Sequence, residues 1–196
     1  MQRRLHGGSR TGRLLAALAG AFLMLLTLGT TESGAAPQGF TAEALAAGLT
    51  QGEATALQAE VDRRRAELGG TQITPNVVDL GNRVTLRVAI PGERHPRDLS
   101  GGRAAASPHC GVWGADHRYF CAFSGPDFSG SEIAMYTCAN YSIPGSWGAG
   151  SWHNNQTRGT TSRMYNSRNQ VIFITDPAPD WDTRGNWRPV AKVRNC

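Results

Sequence analysis

One short line, Phe123-Ser-Gly-Pro-Asp-Phe128-Ser-Gly130, constrains this chain more than any other. Two phenylalanines and a glycine stand in the order aromatic, four residues, Phe, one residue, Gly. Gly125-Pro126-Asp127 is strong turn chemistry, yet Tyr119–Phe123 just before it reads as a strand. The chain must therefore bend back sharply inside a strand-like run. Gly130 is placed to take a backbone angle that other residues resist, and the two Phe rings are placed to cover the turn. Downstream, Thr161-Ser162 offers hydroxyls for the bent backbone.

The surrounding composition agrees. All five tryptophans, all four tyrosines and four of the six phenylalanines lie beyond His109. Short apolar runs recur there between turn signals: Val112-Trp113, Arg118–Phe123, Glu132–Thr137, Ser162–Tyr165, Gln170–Thr175 and Val190–Arg194. That spacing predicts an all-β C-terminal domain, a sandwich with Greek-key connections. A weak internal repeat has Tyr119–Phe123 opening one half and Gln170–Thr175 the other.

The line Phe123, Phe128, Gly130 with Ser162 resembles the βγ-crystallin Greek-key signature, in which a folded hairpin is tied down by a serine from the fourth strand. More closely, Cys121 through Asn166 resembles a family of secreted actinobacterial metalloproteinase inhibitors with a βγ-crystallin-like fold. The residues that carry this are Phe128-Ser-Gly130, Gly150-Ser-Trp152-His-Asn-Asn155, Thr161-Ser162 and Asn166. The resemblance implies inhibition of an extracellular metallopeptidase by a stiff surface loop.

Basic residues up to Arg13, an apolar core at Leu14–Leu28 and small residues at Ser33-Gly34-Ala35-Ala36 follow the order of a secretory signal peptide. The net charge of +5 is partly this leader's, since Arg3, Arg4, Arg10 and Arg13 face only Glu32 there. The remaining arginines are scattered, which argues against a nucleic-acid stripe. Arg63-Arg64-Arg65 is the one run, and it reads as a solvated helix face. Beyond the leader no second apolar run follows, so the expected product is a secreted monomer with no membrane anchor.

Export makes the cysteines legible. Cys110, Cys121, Cys138 and Cys196 read as two disulfides. Three pairings exist, of which Cys110–Cys121 across a local hairpin and Cys138–Cys196 pinning the C-terminus is the favoured one. On the chain-entropy account these stabilise by roughly 3 and roughly 4 kcal/mol. A zinc site from His109, Cys110, His117 and Cys121 has awkward spacing.

Four segments follow: 1–36 as signal peptide, 37–90 as a small helix-hairpin unit, 91–108 as a linker and 109–196 as the β domain. Gln38–Gly48 is alanine-rich and suits a short helix. Thr50 and Glu53 form a capping box for a second helix whose apolar face is Ala54, Leu57, Val61 and Leu68. A hairpin then pairs Thr71–Leu80 with Arg83–Ile90 around Gly81-Asn82, bringing Val77 opposite Leu86 and Ile73 opposite Ile90. This unit is similar to one found ahead of varied modules in secreted actinobacterial proteins, which implies an accessory or pro-segment role. Small exposed residues at 101–107 are the expected nicking site.

Chemistry is sparse. The family's calcium line requires an Asn/Asp pair where Thr157 and Arg158 stand, so no calcium and no other cofactor is expected. His109, His117, His153, Asp116, Asp176, Asp180 and Asp182 are present, but no Gly-x-Ser-x-Gly elbow or His-Glu-x-x-His helix occurs. The chain is expected to bind rather than catalyse. Two long, partly stiff loops are the candidates, Ala139–Gly150 after Cys138 and Asp176–Trp187, with Tyr141, Ile143, Trp147 and Trp181 at the contact. The competing reading has Trp147, Trp152 and Trp187 plugging the core. The rival function is a carbohydrate or cell-wall binding module, with Trp147, Trp181 and Trp187 as stacking surfaces. A killer-toxin-like or purely structural βγ-crystallin protein is a third reading.

Overall fold

Thr50 starts the principal helix in the way its sequence dictates. Its hydroxyl accepts the Glu53 amide proton, and the Glu53 carboxylate accepts the Thr50 amide proton. The computed structural model describes residues 38–101 and 109–196. The expected leader and the Gly102–Pro108 part of the expected linker lie outside the described residues. Helix α1 (Gln38–Ala46) leads into α2 (Gln51–Leu68), which buries Ala54, Leu57 and Val61. Arg64 departs from the expected solvated face. It is buried, and it reaches Glu60, Glu67 and the Ser146 hydroxyl. Its stem covers core while its fork finds acceptors.

The body is β. Strands β1 (Thr71–Thr74), β2 (Val77–Gly81) and β3 (Val84–Arg87) precede β4 (Cys110–Gly111) and β5 (Gly114–Ala115). Then come β6 (Tyr119–Gly125), β7 (Ser129–Met135), β8 (Asn140–Ser142), β9 (Ala149–Asn155), β10 (Arg163–Tyr165), β11 (Val171–Ile174), β12 (Asp180–Asn186) and β13 (Lys192–Arg194). A seven-stranded sheet runs β1-β2-β3-β7-β6-β9-β12, a four-stranded sheet runs β11-β10-β13-β8, and β4-β5 is a small hairpin. All pairings are antiparallel.

The N-terminal hairpin does not stand apart. Strand β3 pairs with β7 from Val84 opposite Met135 to Arg87 opposite Glu132, so it continues the sheet. Val84, Leu86, Val88 and Ile90 are all buried, as their strict alternation predicts. The register differs from expectation. Gly81 pairs with Val84 and Val78 faces Leu86, while Asn82 and Arg83 form the turn with positive φ of 50° and 59°. Ile73 lies on β1, which pairs with β2 on the side away from β3, so it is exposed rather than set against Ile90. The turn takes the two residues whose angles match the strand twist, which moves each partner by one. Residues 91–101 have no regular structure, yet Leu99 is buried in the main core and the Arg94 carbonyl accepts the Gly130 amide proton.

Both sheets and α2 share that core. Leu57 and Val61 from α2 join Val78, Leu86, Ile133 and Met135 in it. Phe120, opposite Met135, continues it to Trp152, Met164, Trp187 and Val193. Both disulfides are the expected ones, Cys110–Cys121 and Cys138–Cys196. With Cys110 and Cys121 bonded to each other, the zinc alternative has no thiolate to use. No helix among the described residues is long and apolar enough to cross a membrane.

Candidate functional site

The β6–β7 corner forms where the sequence puts it. Asp127, Phe128 and Gly130 have φ of 53°, 56° and 78°, and the Phe123 and Phe128 rings lie 5.3 Å apart. A Cβ on Gly130 would fall 2.2 Å from the Ser124 hydroxyl, which itself accepts the Ser131 amide proton. The serine that ties the corner is Ser151 on β9. Its hydroxyl donates to the Gly125 carbonyl at 2.7 Å and accepts from the Phe128 amide at 2.9 Å. Ser162 lies elsewhere, against the Asn195 carbonyl and Gln156, where it holds the C-terminal strand. Position in the strand order, rather than proximity to Thr161, decides which hydroxyl reaches the bend.

Beside the corner stands the β4–β5 hairpin. Its base is fixed at several points. Cys110 is bonded to Cys121 on β6, and the His109 ring stacks on Tyr119 at 4.0 Å. The Ala115 amide donates to His153 Nδ1 at 2.9 Å, and Asn155 Nδ2 donates to the Ala115 carbonyl at 2.8 Å. Gly114 allows this approach, since a Cβ there would fall 2.1 Å from His153 Nδ1. Burial holds the His153 imidazole below its usual pKa, against an opposing pull from Asp180. That suits a ring nitrogen acting as acceptor. The tip is bare: Val112 is 50 % exposed and Trp113 91 % exposed. Trp181 on β12, 57 % exposed, touches the other side of the same histidine, with rings 5.8 Å apart.

The expected contact residues separate. Ile143 and Trp147 are buried, and Trp147 packs edge-on to Trp187 at 6.2 Å. Trp187 in turn donates from Nε1 to the Phe123 carbonyl at 2.8 Å. These residues form core, so they cannot meet a partner as first expected. Tyr141 is half-buried on β8, with its hydroxyl donated to the Thr137 carbonyl. Of the four, Trp181 alone is exposed. The segment Asp176–Trp187 is mostly strand β12 rather than a long loop.

The carboxylates and histidines are scattered. His109 Nδ1 lies 3.2 Å from Asp116 Oδ2 where the β4–β5 hairpin begins and ends. Asp180 Oδ2 accepts the Asp176 amide proton and Asp182 Oδ1 the Arg184 amide proton, which are local turn and strand-end bonds. Thr157 and Arg158 occupy an exposed turn. Among the described residues no group of three or more His, Cys, Asp or Glu converges as a metal site.

Sequence reasoning missed Trp113. Its run, Val112-Trp113 between glycines, reads as one more buried strand, but β9 holds the hairpin at Ala115 and the tryptophan stays outside. A second surface was also missed as a surface. All four residues of β11, Val171, Ile172, Phe173 and Ile174, are between 40 % and 52 % exposed. Beside them opens an apolar cleft of about 290 Å³ that Trp152, Met164, Phe173 and Trp187 help to line. Comparison with family models, with curated proteins and with solved structures finds no match to this chain.

Proposed function

We propose that this protein is an exported, βγ-crystallin-like inhibitor of an extracellular metallopeptidase, and that it presents the Val112-Trp113 hairpin tip to the enzyme. The observation that carries this reading is the contrast within one hairpin, bolted at its base by Cys110–Cys121 and His153 yet bare at Trp113. A large aromatic on a preordered loop loses little conformational freedom on docking, and buried tryptophans rank among the strongest interface anchors. The stiff loop of the inhibitor reading thus moves from Ala139–Gly150 to the β4–β5 tip. The metallopeptidase class rests on the resemblance over Cys121 through Asn166.

The test is inhibition of thermolysin-type peptidases by the oxidised protein, with serine and cysteine peptidases as controls. Saturable inhibition that weakens by about tenfold or more in Trp113→Ala, at unchanged melting temperature, supports the reading. Absence of inhibition across the panel would remove it. Trp181 favours a second reading, a carbohydrate-binding module, because it is the exposed one among Trp147, Trp181 and Trp187. Retention on chitin, glucan or peptidoglycan that is lost in Trp181→Ala would select it.

A further inference from the structure

Strand β11 ends the four-stranded sheet, and its outer side is unpaired. Its sequence, Val171-Ile172-Phe173-Ile174, carries no inward charge, lysine or proline, and its one protective device is the bulge at Ile172, where the register against β10 shifts. The Thr175 amide donates inward to the Ser162 carbonyl. By strand alternation the neighbouring Ile174 turns its N–H and C=O to the open side. The edge therefore offers backbone bonds and apolar side chains together.

Charge identifies what covers it. The end of β11 nearer Asn169 is basic, with exposed Arg168 and with Lys192 bonded to Asn169. Arg188 lines the same hollow as Arg168. The other end is acidic, with exposed Asp176 followed by Asp180. A parallel partner of the same sequence would set like charges together. An antiparallel one reverses the order and carries Arg168 toward Asp176 of the opposite copy.

We infer that the β11 edge is a self-complementary interface, on which a second copy of this chain pairs antiparallel about a two-fold axis near Phe173. The Ile174 end of each copy then lies against the Val171–Ile172 end of the other, and two four-stranded sheets become one of eight strands. Such an interface is isologous, so it closes at two copies and does not grow into a fibre. It uses strand addition, in which backbone bonds supply affinity and the flanking side chains set direction. This surface is separate from the β4–β5 tip, so the inference stands apart from the peptidase reading.

Sedimentation equilibrium of the oxidised full chain over a hundred-fold concentration range tests it. The expected result is a monomer–dimer equilibrium that Ile174→Lys abolishes. Arg168→Asp and Asp176→Arg are each expected to weaken association about tenfold, roughly 1.4 kcal/mol spread over the two symmetry-related charge contacts, and the double exchange to restore it. These two side chains are exposed, so the variants keep the fold. Trp113→Ala is expected to leave association unchanged. A monomer at every concentration overturns the inference. So does a dimer that survives Ile174→Lys, or charge variants whose combination fails to recover.

Discussion

Arg87 on β3 faces Glu132 on β7 across the strand pair that joins the N-terminal hairpin to the rest of the sheet, with nitrogen and oxygen 3.6 Å apart. Both side chains are nearly buried. Burial pushes the Glu132 carboxyl up to about 8, and the nearby Arg87 charge only partly opposes this. In the unfolded chain the same carboxyl titrates near its ordinary value of 4.5. The folded state therefore holds the proton more tightly, and stability falls as pH rises from the ordinary carboxylate range through about 8. Urea melts at pH 5 and pH 9 are expected to show the loss, and Glu132→Gln is expected to flatten it. An unchanged slope in that variant would assign the pH dependence elsewhere.

Ser151 gives a second prediction. Ser151→Ala removes both bonds that close the β6–β7 corner and leaves the Gly125 carbonyl and Phe128 amide without that partner. The expected cost is about 1–3 kcal/mol. Hydrogen exchange should quicken at Phe128. Ser162→Ala is expected to loosen the C-terminal strand at Asn195 instead, leaving exchange at the corner unchanged.

The two exposed and buried tryptophans should part company on heating. Trp147→Ala empties a core site packed on Trp187 and is expected to cost about 3–5 kcal/mol. Trp113→Ala removes a ring that touches mainly solvent, and its melting curve should overlay the parent's. Calorimetry of the two variants reads the difference directly.

Removing the Cys110–Cys121 bond by double serine substitution should cost roughly 3 kcal/mol on the chain-entropy account. It should also loosen the hairpin's base, read as faster exchange at the Asp116 amide, which is bonded to the His109 carbonyl. Gly114→Ala should disturb the same hairpin by another route. The new methyl meets His153 at a backbone φ of 93° that resists side chains. Loss of the Ala115 contact to His153 should appear as a raised histidine pKa by NMR.

Much of the fold was legible because its signals are local. The Thr50–Glu53 box, the Phe123–Gly130 corner and the alternation of Val84 through Ile90 each lie within a few residues. Strand β9 was less legible. It is paired on both sides, yet it reads Ala-Gly-Ser-Trp-His-Asn-Asn, because its polar groups serve as ties rather than as a solvent face. Ser151 holds the corner, Asn154 the Thr160 carbonyl and Asn155 the Ala115 carbonyl. Strand β12 hid behind Asp180, Asp182 and Arg184 for a simpler reason, since an edge strand needs few apolar residues. The site was legible only in outline. A stiff loop was expected, but exposure is a tertiary property, and nothing near Trp113 in the chain distinguishes it from Trp147.

The ladder between β3 and β7 has a consequence for processing. Were a peptidase to sever the backbone between Gly101 and His109, no fragment would drift away. The first piece contributes three strands and the Leu57, Val61, Leu86 and Leu99 side chains of the shared core, so the halves would persist as a nicked heterodimer. Such a molecule would elute intact on gel filtration and separate only in denaturant. Maturation by cleavage at that place would loosen a tether without discarding a domain.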